Sequence, residues 1–365
     1  MTLDVGFLGY RFMGKAHANA LARLPMFFPD APAVNRKVLV GRDEAAVADA
    51  ADRFGFDRTT DDWSEAIDEV DVFYNLGPTH VHAEPTIEAL EAGVHVMCEK
   101  PLATDLETAR RMREAARDSD AIAGVGFNYR YVPALQLAKR LIDEGLFGEI
   151  YRVRGRCLQD WLGDLEDPWN WRTDEERAGT GVLGDVGSHT IDLARWLIGD
   201  VERVSGQLTI QIPERPAPDG DGTREVTTDD EYSAIAEFDS GAVGVFEGSR
   251  VATGRKADNS IEVYGSEGGF KFSLRRLNEL RVLGPNDRGF QGILVTDPND
   301  PYIDAWWPPG HIVGWEHTFV HENYEFLTSV ADGTRYRPDF EDGFEVQRVL
   351  DAVQTSNETG RRTRI

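Results

Sequence analysis

Two kinds of hydrophobic periodicity alternate through the first third of the chain. Leu3-Asp4-Val5-Gly6-Phe7-Leu8-Gly9 is a short apolar strand running into a glycine, and Phe12 to Leu24 carries apolar residues at helical spacing. The pair recurs as strand 37–40 with helix 45–54, strand 70–76 with helix 83–92, strand 94–98 with helix 105–117, and strand 121–127. Such alternation predicts an α/β domain on a doubly wound parallel sheet, its ligand held beyond the carboxyl ends of the strands.

The pattern changes after residue 128. Residues 133–144 read as a helix and 149–159 as a strand with one solvated face, and from Val201 onward strands dominate, with turns at Asp239-Ser240-Gly241 and Gly265 to Gly269. A run of strands after βαβ units predicts a second, α+β domain built on an antiparallel sheet, dividing the chain into 1–128 and 129–365. One helix, 182–198, interrupts the strands. Residues 213–230, rich in Pro, Gly and acids, read as a solvated loop. Residues 283–312, with Tyr302, Trp306 and Trp307, read as a long loop suited to a lid or a subunit contact. Helices are expected at 313–331 and 340–355, and the tail Arg361-Arg362-Thr363-Arg364 is expected to fray.

Charge narrows the partners. With 64 acids against 39 bases the net charge is −25, so the surface repels polyanions, and neither nucleic acid nor an anionic membrane is an expected partner. Only six of the bases are lysines, and an acidic, lysine-poor surface fits a high-salt cytoplasm, where dense ions screen self-repulsion. Cys98 and Cys157 are too few for a disulfide scaffold and read as buried thiols. The chain starts directly in a strand and contains no run of about 18 apolar residues, so a soluble, cytoplasmic protein is expected.

Between the first strand and helix lies Gly9-Tyr10-Arg11-Phe12-Met13-Gly14, a G-x-G-x-x-G turn with Arg11 at the middle position. The first glycine permits the tight turn, the last permits close helix–strand packing, and the helix start offers N–H groups to a pyrophosphate, so a dinucleotide-binding Rossmann domain is expected. NAD-binding folds place an acid at the end of the second strand; here Arg42 stands there, which suits a 2′-phosphate. With Arg11 nearby the expected cofactor is NADP, and Asp43 keeps NAD possible.

Lys100 closes the strand 94–98 in Glu99-Lys100-Pro101. Unlike arginine, a partly buried lysine can exchange a proton with a substrate hydroxyl, so Lys100 is the first candidate for chemistry. On helix 182–198, Asp185, His189 and Asp192 fall on one face, a register that orients an imidazole and tunes its proton affinity. His80 with His82, and His317 with His321, lack the further ligands of a metal site, and none is expected.

Taken together, Gly9-x-Arg11-x-x-Gly14 with His17, Pro78-Thr79-His80, Glu99-Lys100-Pro101, Asn128-Tyr129-Arg130 and Gly184-Asp185-x-x-Ser188-His189-x-x-Asp192 resemble the glucose-fructose oxidoreductase, inositol dehydrogenase and rhizopine-catabolism (Gfo/Idh/MocA) family. Residues 26–29, 158–161, 171–172 and 212–216 are similar to its levoglucosan dehydrogenase branch. The resemblance implies a Rossmann domain plus a large open antiparallel sheet, and a homodimer or homotetramer formed through that sheet. It implies hydride transfer from a ring secondary alcohol of a sugar, anhydrosugar or cyclic polyol to nicotinamide. Lys100, Asp185 and His189 correspond to the catalytic group, with Lys100 or His189 as the proton acceptor. Substrate contacts are expected from these three and from Asn128, Arg130, Gln159, Asp160 and Arg172, with Trp161 or Trp171 stacking on the sugar. Cofactor contacts are expected from Gly9, Arg11, Phe12, Met13, Gly14, Arg42, Asp43, Leu76, Pro78, His82, Glu99, Lys100, Asn128, Trp171 and Arg172. Gly77 and Thr79 depart from the usual T-P-N turn. A redox-assisted glycosidase that retains its cofactor, and a non-catalytic NADP sensor, are the alternatives.

Overall fold

The computed structural model describes residues 1–365 and resolves two compact units, 1–131 with 314–344, and 132–313 with 345–365. The second unit begins close to the expected boundary, but 314–344 returns to the first unit instead of staying with the strands.

The first unit contains β1 (Thr2–Leu8), α1 (Phe12–Phe27), β2 (Ala33–Val40), α2 (Glu44–Phe54), β3 (Arg58–Thr60), α3 (Trp63–Ile67), β4 (Val72–Asn75), α4 (Ala83–Glu91), β5 (His95–Cys98), α5 (Leu106–Asp118) and β6 (Ala123–Val125). The strands form one parallel sheet in the order β3-β2-β1-β4-β5-β6. Helices on both faces explain why Val38, Leu39 and Val40, or Val96, Met97 and Cys98, are apolar without alternation and all buried. Strand order reverses between β1 and β4, the switch point where doubly wound sheets bind ligands. Asp43, Asp62 and Asp105 cap α2, α3 and α5 by accepting backbone N–H groups. β3 and α3, too short for their periodicity to register, were invisible in the sequence.

The second unit contains α6 (Pro133–Asp143), β7 (Ile150–Leu158), α7 (Glu175–Ala178), α8 (Ser188–Ile198), β8 (Val201–Thr209), β9 (Glu214–Pro216), β10 (Thr223–Glu225), β11 (Glu231–Phe238), β12 (Val243–Ser249), β13 (Asp258–Gly265), β14 (Gly269–Ser273), β15 (Glu279–Leu283) and β16 (Gln291–Leu294). After them come α9 (Glu316–Asp332), which packs on α1 in the first unit, then α10 (Phe340–Thr359) and β17 (Thr363–Arg364). A nine-stranded sheet runs β16-β15-β14-β13-β7-β12-β11-β8-β17. Its pairs are antiparallel except β7 with β12. α8 covers β7 and β13, and the end of α10 covers β8, where Ser356 accepts the Gly206 N–H at 3.0 Å.

Three expectations change. Residues 213–230 are solvated only in part: 218–225 are exposed, but β9 and β10 pair as a hairpin, and Arg215, Val226, Thr228, Asp229 and Asp230 are buried. The long segment 283–312 contains the edge strand β16. The basic tail is not frayed, because β17 adds to β8 and Arg362 and Arg364 pair with Glu237 and Glu202. In each case polar composition concealed backbone pairing.

Candidate active site

Gly9 turns the chain at φ +106°, and a Cβ there would lie 2.8 Å from the Leu76 carbonyl oxygen. At Gly14 a Cβ would lie 2.4 Å from the Gly9 carbonyl oxygen, which is the close helix–strand approach the motif predicts. The start of α1 is open: Arg11 at the N-cap makes no capping hydrogen bond and no acid occupies the first turn. Its N–H groups and the helix dipole suit a pyrophosphate. Arg11 and Phe12 are exposed there, with Phe12 stacked on Trp315 at 5.4 Å, while Met13 is half-buried. At the end of β2, Arg42 is exposed, and the Asp43 carboxylate caps α2 by accepting the Ala46 N–H at 3.0 Å.

The buried amide of Asn75, which sequence reasoning missed, organises the neighbouring turn. Its Nδ2 donates to the carbonyls of Val81 (3.0 Å) and His82 (2.9 Å) and to Thr86 Oγ1 (3.1 Å). His82 was expected at the cofactor. It is 1% exposed, its Nε2 3.0 Å from the Gly77 carbonyl and its Nδ1 3.0 Å from that of Pro101, so it joins the Pro78 turn to the strand end carrying Lys100. Burial pushes its pKa down. Leu76 is buried beneath the turn and Pro78 half-buried on it.

Lys100 is half-buried, and its backbone N–H donates to Glu99 Oε2 at 3.1 Å. The other Glu99 oxygen meets His17 Nε2 at 3.3 Å. On the far side of that imidazole, Asn323 Nδ2 donates to Nδ1 at 3.0 Å, and Asn323 Oδ1 accepts from Tyr74 at 2.8 Å. This assigns Nδ1 as acceptor and aims the Nε2 hydrogen at Glu99. Asn128 donates to Thr318 Oγ1 at 2.8 Å, and Arg130 lies 3.4 Å from Asp342; both are buried and tied into the first unit.

In the second unit Asp185 sits in a π turn, Leu183–Gly187, and His189 and Asp192 in the first turns of α8. A single wide turn of this kind re-aims side chains and is frequent at functional sites. Asp192 is buried at 1%, His189 at 9%, and Asp185 is half-exposed. Arg172 Nε lies 3.8 Å from Asp185 Oδ2, and the guanidinium carbon stands 4.3 Å from the Trp171 ring centroid and 5.9 Å from that of Trp161. Asp160 is held by Lys256 at 2.6 Å and the Gly254 N–H at 2.9 Å, and that lysine keeps its carboxyl below the usual range. Gln159 is fixed through its backbone to Ser249 and Ala252.

The histidine pair on α9 is otherwise engaged: His321 Nδ1 meets the Tyr131 carbonyl and His317 Nδ1 accepts the Gly314 N–H, each at 3.0 Å. Both cysteines are free and buried, with burial pushing the Cys98 thiol up.

Residues 3–127 match the family described as "Oxidoreductase family, NAD-binding Rossmann fold", and residues 135–271 match the "GFO/IDH/MocA C-terminal domain". The chain belongs to the Gfo/Idh/MocA oxidoreductase family. Levoglucosan dehydrogenase of Pseudarthrobacter phenanthrenivorans is 40% identical, over 97% of this chain and 96% of its own. Inositol 2-dehydrogenase of Rhizobium meliloti is 28% identical over 98% of this chain and 97% of its own. Among solved structures, levoglucosan dehydrogenase in complex with NADH superposes with a TM-score of 0.97 at 40% identity, covering 100% of this chain and 99% of that one. The Gfo/Idh/MocA assignment makes this chain a nicotinamide-dependent dehydrogenase, and the open α1 terminus, the Gly9–Gly14 approach and the β1/β4 reversal fit that cofactor.

Proposed function

We propose that this chain oxidises a ring secondary hydroxyl of an anhydrosugar such as levoglucosan, or of a closely similar cyclic polyol. The observation carrying the substrate class is the Trp161–Arg172–Trp171 wall beside Asp185: aromatic faces for sugar C–H groups, and a guanidinium and carboxylate for vicinal hydroxyls. Bound nicotinamide supplies the hydride acceptor. Lys100 donates a hydrogen bond to the oxygen as it loses its proton, His189 takes that proton, and Asp185 holds the substrate in place. Turnover of levoglucosan, inositols, glucose, xylose and galactose, followed with both nicotinamides, tests this reading; an inert panel overturns it.

NADP is placed ahead of NAD because Arg11 and Arg42 are exposed and make no ion pair, in a chain whose acids outnumber its bases 64 to 39. Two such cations suit a 2′-phosphate. Asp43, with one oxygen committed to its helix cap, leaves NAD as the second cofactor.

The open face of the nine-stranded sheet exposes Ile235 (58%), in register with Arg154, and we assign that face to homodimer or homotetramer contacts. No helix is long and apolar enough to cross a membrane. A salt-rich cytoplasm remains the setting that the charge balance favours.

A further inference from the structure

The β9–β10 hairpin reaches beneath the segment that carries the sugar-binding candidates. Arg215, on its first strand, is fully buried. Its Nη2 donates to the Leu162 carbonyl at 2.5 Å, and its Nη1 to those of Asp164 at 3.1 Å and Asp167 at 3.4 Å. The segment grips back: Trp169 donates its backbone N–H to the Pro216 carbonyl at 2.8 Å and its indole N–H to the Glu225 carbonyl at 3.0 Å. Further along the same insert, Thr228 Oγ1 donates to the Arg172 carbonyl at 2.9 Å, where Arg250 Nη1 also arrives at 2.9 Å. The next residue, Asp229, accepts the N–H groups of Gly181 at 2.6 Å and Leu183 at 2.8 Å, at the entrance to the π turn of Asp185. One insert therefore holds the backbone on both sides of the Arg172–Asp185 contact.

We infer that Arg215 is a positioning residue for substrate recognition: from beneath residues 162–167 it fixes where Trp161 and Arg172 stand, and so sets which ring hydroxyls are accepted. This rests on the reading that Trp161 and Arg172 contact the sugar. A guanidinium is well suited to the task, because its rigid fork reaches several carbonyls at once where an ammonium is a single point. Burying that charge is costly, and neighbouring Asp230 offsets part of the cost while the backbone carbonyls take the hydrogen bonds of Nη1 and Nη2, leaving Nε without one. A displacement of the wall by about 1 Å is enough to misplace a bound hydroxyl.

The test compares Arg215→Met, Arg215→Lys and Trp169→Phe with Arg172→Ala, measuring kcat and KM for levoglucosan, glucose and myo-inositol at saturating nicotinamide, with cofactor affinity and melting temperature alongside. Arg215→Met should raise KM for the preferred sugar about tenfold to a hundredfold with kcat changed less than about threefold, and should flatten the kcat/KM ratios between sugars. Arg215→Lys should recover part of the discrimination, and cofactor affinity should hold. A shift in melting temperature alone, or an equal kcat loss on all three sugars, overturns the inference and leaves Arg215 a fold staple. If Arg215→Met does not fold, Trp169→Phe, which loses the indole bond to Glu225 and keeps an aromatic ring beneath Arg177 and Arg224, should show the same flattening severalfold more weakly; unchanged ratios there overturn the inference. Arg172→Ala with unaltered KM would instead sink the sugar-wall reading itself.

Discussion

His17 and Glu99 meet at 3.3 Å between Nε2 and Oε1, with their side chains 0% and 5% exposed. The contact joins the helix that follows the dinucleotide turn to the residue that anchors the Lys100 backbone. Asn323 and Tyr74 fix the imidazole from its other side, so its hydrogen points at Glu99. His17→Ala removes the donor and strands a buried carboxylate, which should cost about 1–3 kcal/mol of stability by urea denaturation. Turnover should also fall, by about tenfold, as the strand end carrying Lys100 loosens. A variant of native stability and activity would show that Glu99 needs no such support.

Cofactor choice is tested at the end of β2. In Arg42→Asp the ratio of kcat/KM for NADP to that for NAD should drop at least about tenfold, since a carboxylate there repels the 2′-phosphate and accepts a ribose hydroxyl. An unmoved ratio would place the phosphate elsewhere or assign the chain to NAD.

Much of this was legible in the chain, and the exceptions share a cause. The βαβ repeats announced themselves because buried parallel strands are uninterrupted apolar runs, and the glycine turn and Lys100 stood at the strand ends that such a sheet assigns to ligands, while helical spacing alone put Asp185, His189 and Asp192 on one stretch of the second unit. Asn75, Arg215, Asp229 and Asn323 were not legible. Each is a polar residue whose work is to hydrogen-bond backbone or side chains outside its own element; periodicity does not record such bonds, and no local spacing records partners 48 or 306 positions away, as for Asp229 and Asn323. Asp229 and Arg215 were also hidden in a segment whose composition reads as solvent-exposed, and distant backbone buries them: the carbonyls of residues 162–167 around Arg215, the N–H groups of Gly181 and Leu183 on Asp229.

Acid should destabilise the fold through His321. Burial holds its pKa at about 3, against an ordinary value of 6.5 in the unfolded chain. Because the folded value is the lower one, the unfolded chain takes up the proton first. Stability is complete above about pH 6.5 and falls by up to about 1.4 kcal/mol for each pH unit below it, toward pH 3. His82 and His317, also shifted down by burial, act in the same direction. Urea denaturation from about pH 7.5 to about 4.5 should show the slope, and His321→Gln should flatten it; an equal slope in the variant would remove His321 from the account.

Salt should do the reverse. At a net charge of −25 the folded chain repels itself, and raising ionic strength from about 0.1 M to about 1 M shortens the screening length from about 10 Å to about 3 Å. The melting temperature should therefore climb with KCl over that range. A flat or falling curve would contradict the high-salt setting.

The most direct measurement is turnover in Lys100→Met, with cofactor affinity measured on the same preparation. The account predicts a fall in kcat of about a thousandfold or more with nicotinamide affinity changed less than about threefold, because the proposed work of the ammonium is on the reacting hydroxyl while the glycine turn and α1 terminus carry most of the dinucleotide binding. Turnover within about tenfold of the unaltered chain would contradict it, and the chemistry would then have to be sought without Lys100.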